Sequence, residues 1–98
     1  MPVLTAKQIK LRLKSVPGWT KRAQTICRTF KFAGFLNSIK FVNRIAVKAQ
    51  KADHHPDIDV RFDKVTLKLT THDEGGITKK DFFLARQCDE VVSKFFVS

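Results

Sequence analysis

Apolar residues recur at positions 35, 39, 42, 46 and 49, while Asn37, Lys40, Arg44, Lys48 and Lys51 keep the same period on the opposite stripe. That pattern predicts an amphipathic helix over about residues 34–53. Pro56 ends it. A residue before proline is pushed towards extended geometry, so His55 leaves the helix while His54 sits at or near its last turn. Ile58, Val60 and Phe62, then Val65, Leu67 and Leu69, alternate with polar residues and predict a β-hairpin with one apolar face, joined near Asp63-Lys64. Upstream, Thr5 can cap a short helix carrying Ile9, Leu11 and Leu13, which stops before the turn dipeptide Pro17-Gly18. Thr25–Phe32 reads as a strand with Ile26, Phe30 and Phe32 in phase, and Thr20–Gln24 is its candidate partner. Past the hairpin, residues 73–76 form a turn and Thr78-x-x-Asp81 opens a last helix as a capping box, with Leu84, Cys88, Val91 and Phe95 as its buried stripe. The order argues for a single α+β domain over residues 1–98, its helices layered on one face of the sheet.

Composition narrows the setting. A chain of 98 residues, 43% hydrophobic, supports one modest core, and association with a second copy would help it. No apolar run approaches the ~20 residues a bilayer span requires, so no membrane role is expected. Charges interrupt Ile9, Leu11 and Leu13, so the N-terminus lacks a signal-peptide core. Cys27 and Cys88 lie within apolar patterns, which predicts two buried free thiols and a reducing compartment. The cytoplasm is the expected location, with nucleus and mitochondrion left open.

The net charge of +10 is lopsided: residues 1–52 hold twelve Lys and Arg and no acid, while residues 53–98 hold seven bases and nine acids. Such asymmetry can mark a nucleic-acid footprint, yet these bases follow helix periodicity and read as a solvated face. There is no zinc-finger spacing and no RNP-like aromatic signature, so nucleic acid is not the expected partner.

The chemistry gathers in one stretch. All three histidines lie within nineteen residues, in Asp53-His54-His55-Pro56 and at His72, and Asp81 follows nine residues later. Histidine exchanges protons near neutrality, so these residues point to acid–base chemistry or to a metal. Adjacent residues on a helix or strand point about 100° or 180° apart, which argues against His54 and His55 sharing one ion. No H-x-H or H-x-x-x-H pair occurs, and no metal is expected. A purely structural set of polar residues at element ends is the plainest alternative.

The His-His-Pro, the aromatic Phe62 six residues on, His72 ten further and Asp81 nine beyond that resemble the pterin-4a-carbinolamine dehydratases, and Gly18-Trp19 is shared as well. The resemblance implies a four-stranded antiparallel sheet covered by three helices. It implies a lyase that removes water from a 4a-hydroxytetrahydropterin, without cofactor, in tetrahydropterin recycling. His54, His55, His72 and Asp81 are then the catalytic candidates, with His54 and His72 as the proton-transfer pair, His55 holding substrate and Asp81 orienting a histidine. Asp53, His54 and His55 would line one side of the pterin pocket, and Thr70, Thr71, His72 and Asp73 the other. Gln50 departs from the family's usual acid or base, and Thr70 and Asp73 replace its commoner Ser and Glu. A homo-oligomer, dimer or tetramer, is expected. The competing class is an interaction module, since some relatives serve as dimerisation cofactors of a transcription factor; a basic nucleic-acid-binding domain is its variant.

Overall fold

The computed structural model describes residues 2–96. Three helices, α1 (Ala6–Leu13), α2 (Phe35–Ala52) and α3 (Lys79–Phe95), pack on one face of four strands, β1 (Thr20–Arg22), β2 (Thr25–Lys31), β3 (Asp57–Arg61) and β4 (Lys64–Leu69). The sheet is antiparallel in the order β1-β2-β4-β3, so both hairpins pair with their sequence neighbours and β2 meets β4 across the middle. The expected α+β architecture stands. Among the described residues no helix is long and apolar enough to cross a membrane.

Alternation decides what the sheet buries. Ile26 and Phe30 of β2 and Val65, Leu67 and Leu69 of β4 all point under the helices and are almost fully buried. Their outward neighbours are Thr, Lys and Cys. Phe41 of α2 anchors the layer above, its ring 4.9 Å from Phe30 and 4.8 Å from Phe32. Trp19 meets Phe30 edge to face and donates Nε1–H to Asp89 Oδ1 at 2.9 Å, tying the β1 approach to α3. Arg28 donates to the same oxygen at 2.8 Å. Gly18 has φ of 98°, a left-handed conformation that favours glycine at this turn.

The helices are where expected, but two are turned differently. On α2 the buried residues are Ser38, Phe41, Ile45 and Ala49; Ile39 and Val42 are half-buried, and Phe35 and Ala46 are exposed. The apolar count at 35, 39, 42 and 46 follows a flank, because the side carrying the bulkiest rings to the sheet fixes the rotation. On α3, Leu84, Cys88 and Val91 are buried, whereas Phe95 is 52% exposed under the Arg44 guanidinium and Phe96 packs on Phe32 instead. Leu11 of α1 is exposed too. β3 is an edge strand, so Ile58 is 38% exposed, and Phe62 lies in the turn at 68% exposure rather than on the apolar face. Both cysteines are buried free thiols, as expected. Burial, and then the nearby Asp89 charge, push the Cys88 thiol up to about 12.

Candidate active site

Two chain segments build the site, and each is set by a helix end. α2 stops because Asp53 adopts a left-handed conformation (φ 50°, ψ 43°). The N–H groups of Asp53 and His54 then fold back onto the carbonyls of Gln50 and Ala49, each at 3.1 Å. This cap turns the chain sharply and sends the two adjacent histidines to different partners. His54 turns in towards α3. His55 stays exposed, and its Nε2–H donates to Gln50 Oε1 on the last turn of α2 at 2.9 Å.

Asp81 is the inward partner. The His54 Nε2 lies 2.6 Å from Asp81 Oδ1, which accepts from it. Asp81 Oδ2 accepts from the Thr78 backbone N–H at 2.9 Å and from the Thr71 hydroxyl at 3.0 Å. Since the Thr71 proton points to the carboxylate, the 2.8 Å contact between the two threonine hydroxyls is made by the proton of Thr78. Thr78 Oγ1 in turn accepts from the Lys80 N–H at 3.2 Å, and the expected capping box is present. A carboxylate with no solvent exposure is tolerable only when its oxygens are satisfied, and here three donors surround it.

The facing wall comes from the end of β4. Thr71 forms an isolated bridge with Gly76, and between them His72–Glu74 makes a single 3-10 turn closed by Gly75 at φ 77°. The bridge buries Thr71 beside Asp81 and carries His72 to the surface. Among the described residues the His72 ring has no hydrogen-bond partner.

Between these walls lies a recess of about 170 Å³, lined by Asp53, His54, His55, Thr70, Thr71, His72, Asp73 and Lys80. The seven residues expected at a substrate pocket therefore come together at one place. Asp81, the fourth acid–base candidate, stands behind His54 rather than on the recess surface. No sequence signal points to Lys80: it precedes Asp81 in the chain, and only the angle at which α3 starts brings its side chain to the recess. Thr78 reads in sequence as a cap alone, and its hydroxyl also belongs to the Asp81 network. Among the described residues no three His, Cys, Asp or Glu converge as a metal-ligand group.

A wider groove of about 610 Å³ lies elsewhere, against Ser15, Arg28, Arg86 and Asp89, and holds no histidine. Desolvation raises the Asp89 carboxyl, opposed by its bonds from Trp19 and Arg28. Its oxygen already serves the fold, and the groove's other carboxylate, Glu90, has no histidine beside it.

Comparison with known proteins places the sequence and the fold. A bacterial relative from Roseiflexus sp. strain RS-1, provisionally assigned as a pterin-4-alpha-carbinolamine dehydratase, is 49% identical over 89 residues, covering 91% of this chain and 96% of that one. One from Acidobacterium capsulatum, with the same provisional assignment, is 46% identical and matched along its whole length. The crystal structure of a transcriptional coactivator/pterin dehydratase from Brucella melitensis superposes with a TM-score of 0.88 at 33% identity, covering 91% of this chain and 97% of that one. A pterin dehydratase-like protein described as a RuBisCO assembly factor in the alpha-carboxysome shares the fold, with a TM-score of 0.61 at 16% identity over 74% of this chain and 84% of that one. Residues 2–91 match the family described as Pterin 4 alpha carbinolamine dehydratase, and the chain belongs to it.

Proposed function

We propose that this protein dehydrates a 4a-hydroxytetrahydropterin to the quinonoid dihydropterin by histidine acid–base catalysis, as part of tetrahydropterin recycling. The observation that carries the reading is the His54–Asp81 pair opening on a recess that also holds His55 and His72. The reaction is redox-neutral. The 4a carbon–oxygen bond breaks as the hydroxyl takes a proton and leaves as water. Electron density from the ring nitrogens replaces the lost bond, and a ring N–H gives up its proton. One acid and one base suffice, and neither a metal nor an organic cofactor enters the scheme.

His54 and His72 are the proposed proton-transfer pair. With Nε2 directed at Asp81, Nδ1 is the His54 nitrogen left to exchange protons, and the carboxylate can balance the imidazolium charge. His55, held by Gln50, is assigned to binding with Asp53, Thr70, Thr71 and Asp73. Asp81 is a positioning residue, because it reaches the recess only through His54.

The deciding experiment follows the dehydration of chemically generated 4a-hydroxytetrahydropterin by absorbance. The wild-type chain should accelerate it well above the buffer rate, and His54→Ala should lose most of that acceleration. A wild-type chain that leaves the spontaneous rate unchanged would end the enzymatic reading.

A second reading, an interaction surface, rests on a separate observation. α2 exposes Phe35, Leu36 and Val47 at 50%, 73% and 67%, and the edge strand beside it exposes Ile58. An unpaired edge and an apolar flank suit a second copy of the chain. A homo-oligomer is therefore proposed, and a monomer mass of 11.2 kDa by light scattering at micromolar concentration would refute it.

A further inference from the structure

Only one face of the sheet is covered. The register that sends Phe30, Val65 and Val60 towards the helices sends their neighbours the other way. It pairs Lys31 with Lys64 and Lys64 with Arg61, so three cations from three strands stand in one row on the open face. With strands about 4.8 Å apart, that row spans about 10 Å. Like charges directly opposite each other weaken a strand pair. One carboxylate answers the row, at the surface: Asp59 Oδ2 lies 3.2 Å from Arg61 Nε. Among the described residues Lys31 and Lys64 have no ion pair.

Two further observations lie beside this row. Phe62 sits in the two-residue turn joining Arg61 to Lys64, at φ 55° and 68% exposed. Neither backbone preference nor burial accounts for a large ring there. Lys68 lies four residues from Lys64 on the same side, about 13 Å along the strand. With Arg22 and Asp59 it borders a recess of about 310 Å³ whose floor includes Thr29 and Thr66, and Asp57 stands opposite Lys68 in register, so the open face carries two carboxylates among its cations. None of these residues lines the histidine recess.

We propose that the open face of the sheet binds single-stranded nucleic acid. Phosphates would lie over the Lys31–Lys64–Arg61 row and towards Arg22 and Lys68, with a base stacked on Phe62. A cationic track with an aromatic at its end is what sequence-tolerant strand binding requires. The cations are too widely spread for one phosphate group. A membrane is the poorer fit, since one exposed ring, Phe62, offers little apolar surface to insert. No linear motif announces such a site, because its cations come from three separate strands.

The test is fluorescence anisotropy of a labelled oligothymidylate of about 20 nucleotides with the full chain, titrated at several salt concentrations. Lys31→Gln/Lys64→Gln should weaken binding about tenfold or more and reduce the log–log salt slope by about 1.4, the value for two lost single-strand phosphate contacts. Phe62→Ala should weaken it at least about fivefold. Lys7→Gln/Lys10→Gln, which removes the same charge from exposed positions of α1, should stay within about twofold of wild type. Pterin dehydration by the Lys31/Lys64 variant should be unchanged. If that variant melts lower, Lys31→Arg/Lys64→Arg must bind as wild type does. The proposal is overturned if wild type fails to bind at low salt or if the α1 control weakens binding as much as the sheet variant. It is equally overturned if Phe62→Ala has no effect, or if anionic phosphatidylserine vesicles bind this face while the oligonucleotide does not.

Discussion

His54 and His72 face one recess from two different kinds of ground. His54 follows the left-handed cap of an 18-residue helix, its side chain is 11% exposed, and a 2.6 Å bond ties it to a fully buried carboxylate. His72 begins a three-residue turn, lies exposed, and has no ring hydrogen bond among the described residues. In the first region packing and hydrogen bonds fix the imidazole before any substrate arrives. In the second the backbone is pinned by the Thr71–Gly76 bridge while the ring lies exposed with no bond among the described residues to orient it. A preorganised group acts without reorganising at the moment of reaction, whereas a free one takes its orientation from the substrate. Proton exchange through both regions would pair a fixed partner with an adaptable one.

The largest expected effect tests whether the two regions work as one unit. His54→Ala and His72→Ala should each lower turnover of the 4a-hydroxytetrahydropterin by about 10²–10⁴-fold. The double variant should be little worse than either single, because groups acting in one step are not additive. Stability should separate them. Losing His54 removes one of three donors from a buried carboxylate and should cost about 1–3 kcal/mol, while losing the exposed His72 should stay within about 0.5 kcal/mol. Turnover and melting temperature on the same samples check both halves. Full activity in the double variant would falsify the acid–base assignment, and equal melting temperatures would erase the contrast between the regions.

Asp81→Asn probes the fixed region alone. The carboxylate caps α3 through Thr78 and holds His54, so the nearly isosteric amide should retain the fold at a cost of a few tenths to about 1 kcal/mol. An amide can donate as well as accept, and it cannot balance an imidazolium charge as a carboxylate does. Turnover should therefore fall at least about tenfold, as expected when the histidine loses its tautomer partner. A lower melting temperature with undiminished turnover would leave Asp81 as a helix cap only.

The fixed region also marks the limit of what the chain alone reveals. Both helix ends were legible, because Pro56 and the Thr78-x-x-Asp81 box act locally. The gathering of Asp53, His54 and His55 with Thr70 to Asp73 followed from the family resemblance. The way these groups are wired did not. Asp81 could be assigned to a histidine in general, but the choice of His54 depends on how α2 and α3 cross. Lys80 reaches the recess for the same reason. Periodicity misplaces the rotation of α2 because apolar residues occupy two adjacent stripes. Periodicity does not tell Phe41 and Ile45, which meet the sheet, from Ile39, Val42 and Ala46 beside them. The row of Lys31, Lys64 and Arg61 is likewise a product of strand register.

The smallest effect concerns His55, which stands between the two regions in character. Its ring is exposed yet oriented, by a single 2.9 Å bond to Gln50 Oε1. A neutral acceptor fixes which nitrogen carries the hydrogen but does not balance a charge on the ring. That suits a group that binds substrate more than one that delivers a proton. Gln50→Ala should leave the fold intact within about 0.5 kcal/mol, since the bond is at the surface. Freeing the ring should raise KM about two- to fivefold, the equivalent of one modest hydrogen bond, with kcat nearly unchanged. Gln50→Glu keeps an acceptor in place and should restore KM to within about twofold of wild type. The measurement is a full saturation curve for each variant at two pH values. A fall in kcat comparable to that of His54→Ala would instead place His55 in the proton transfer itself and dissolve the division between a fixed and an adaptable partner.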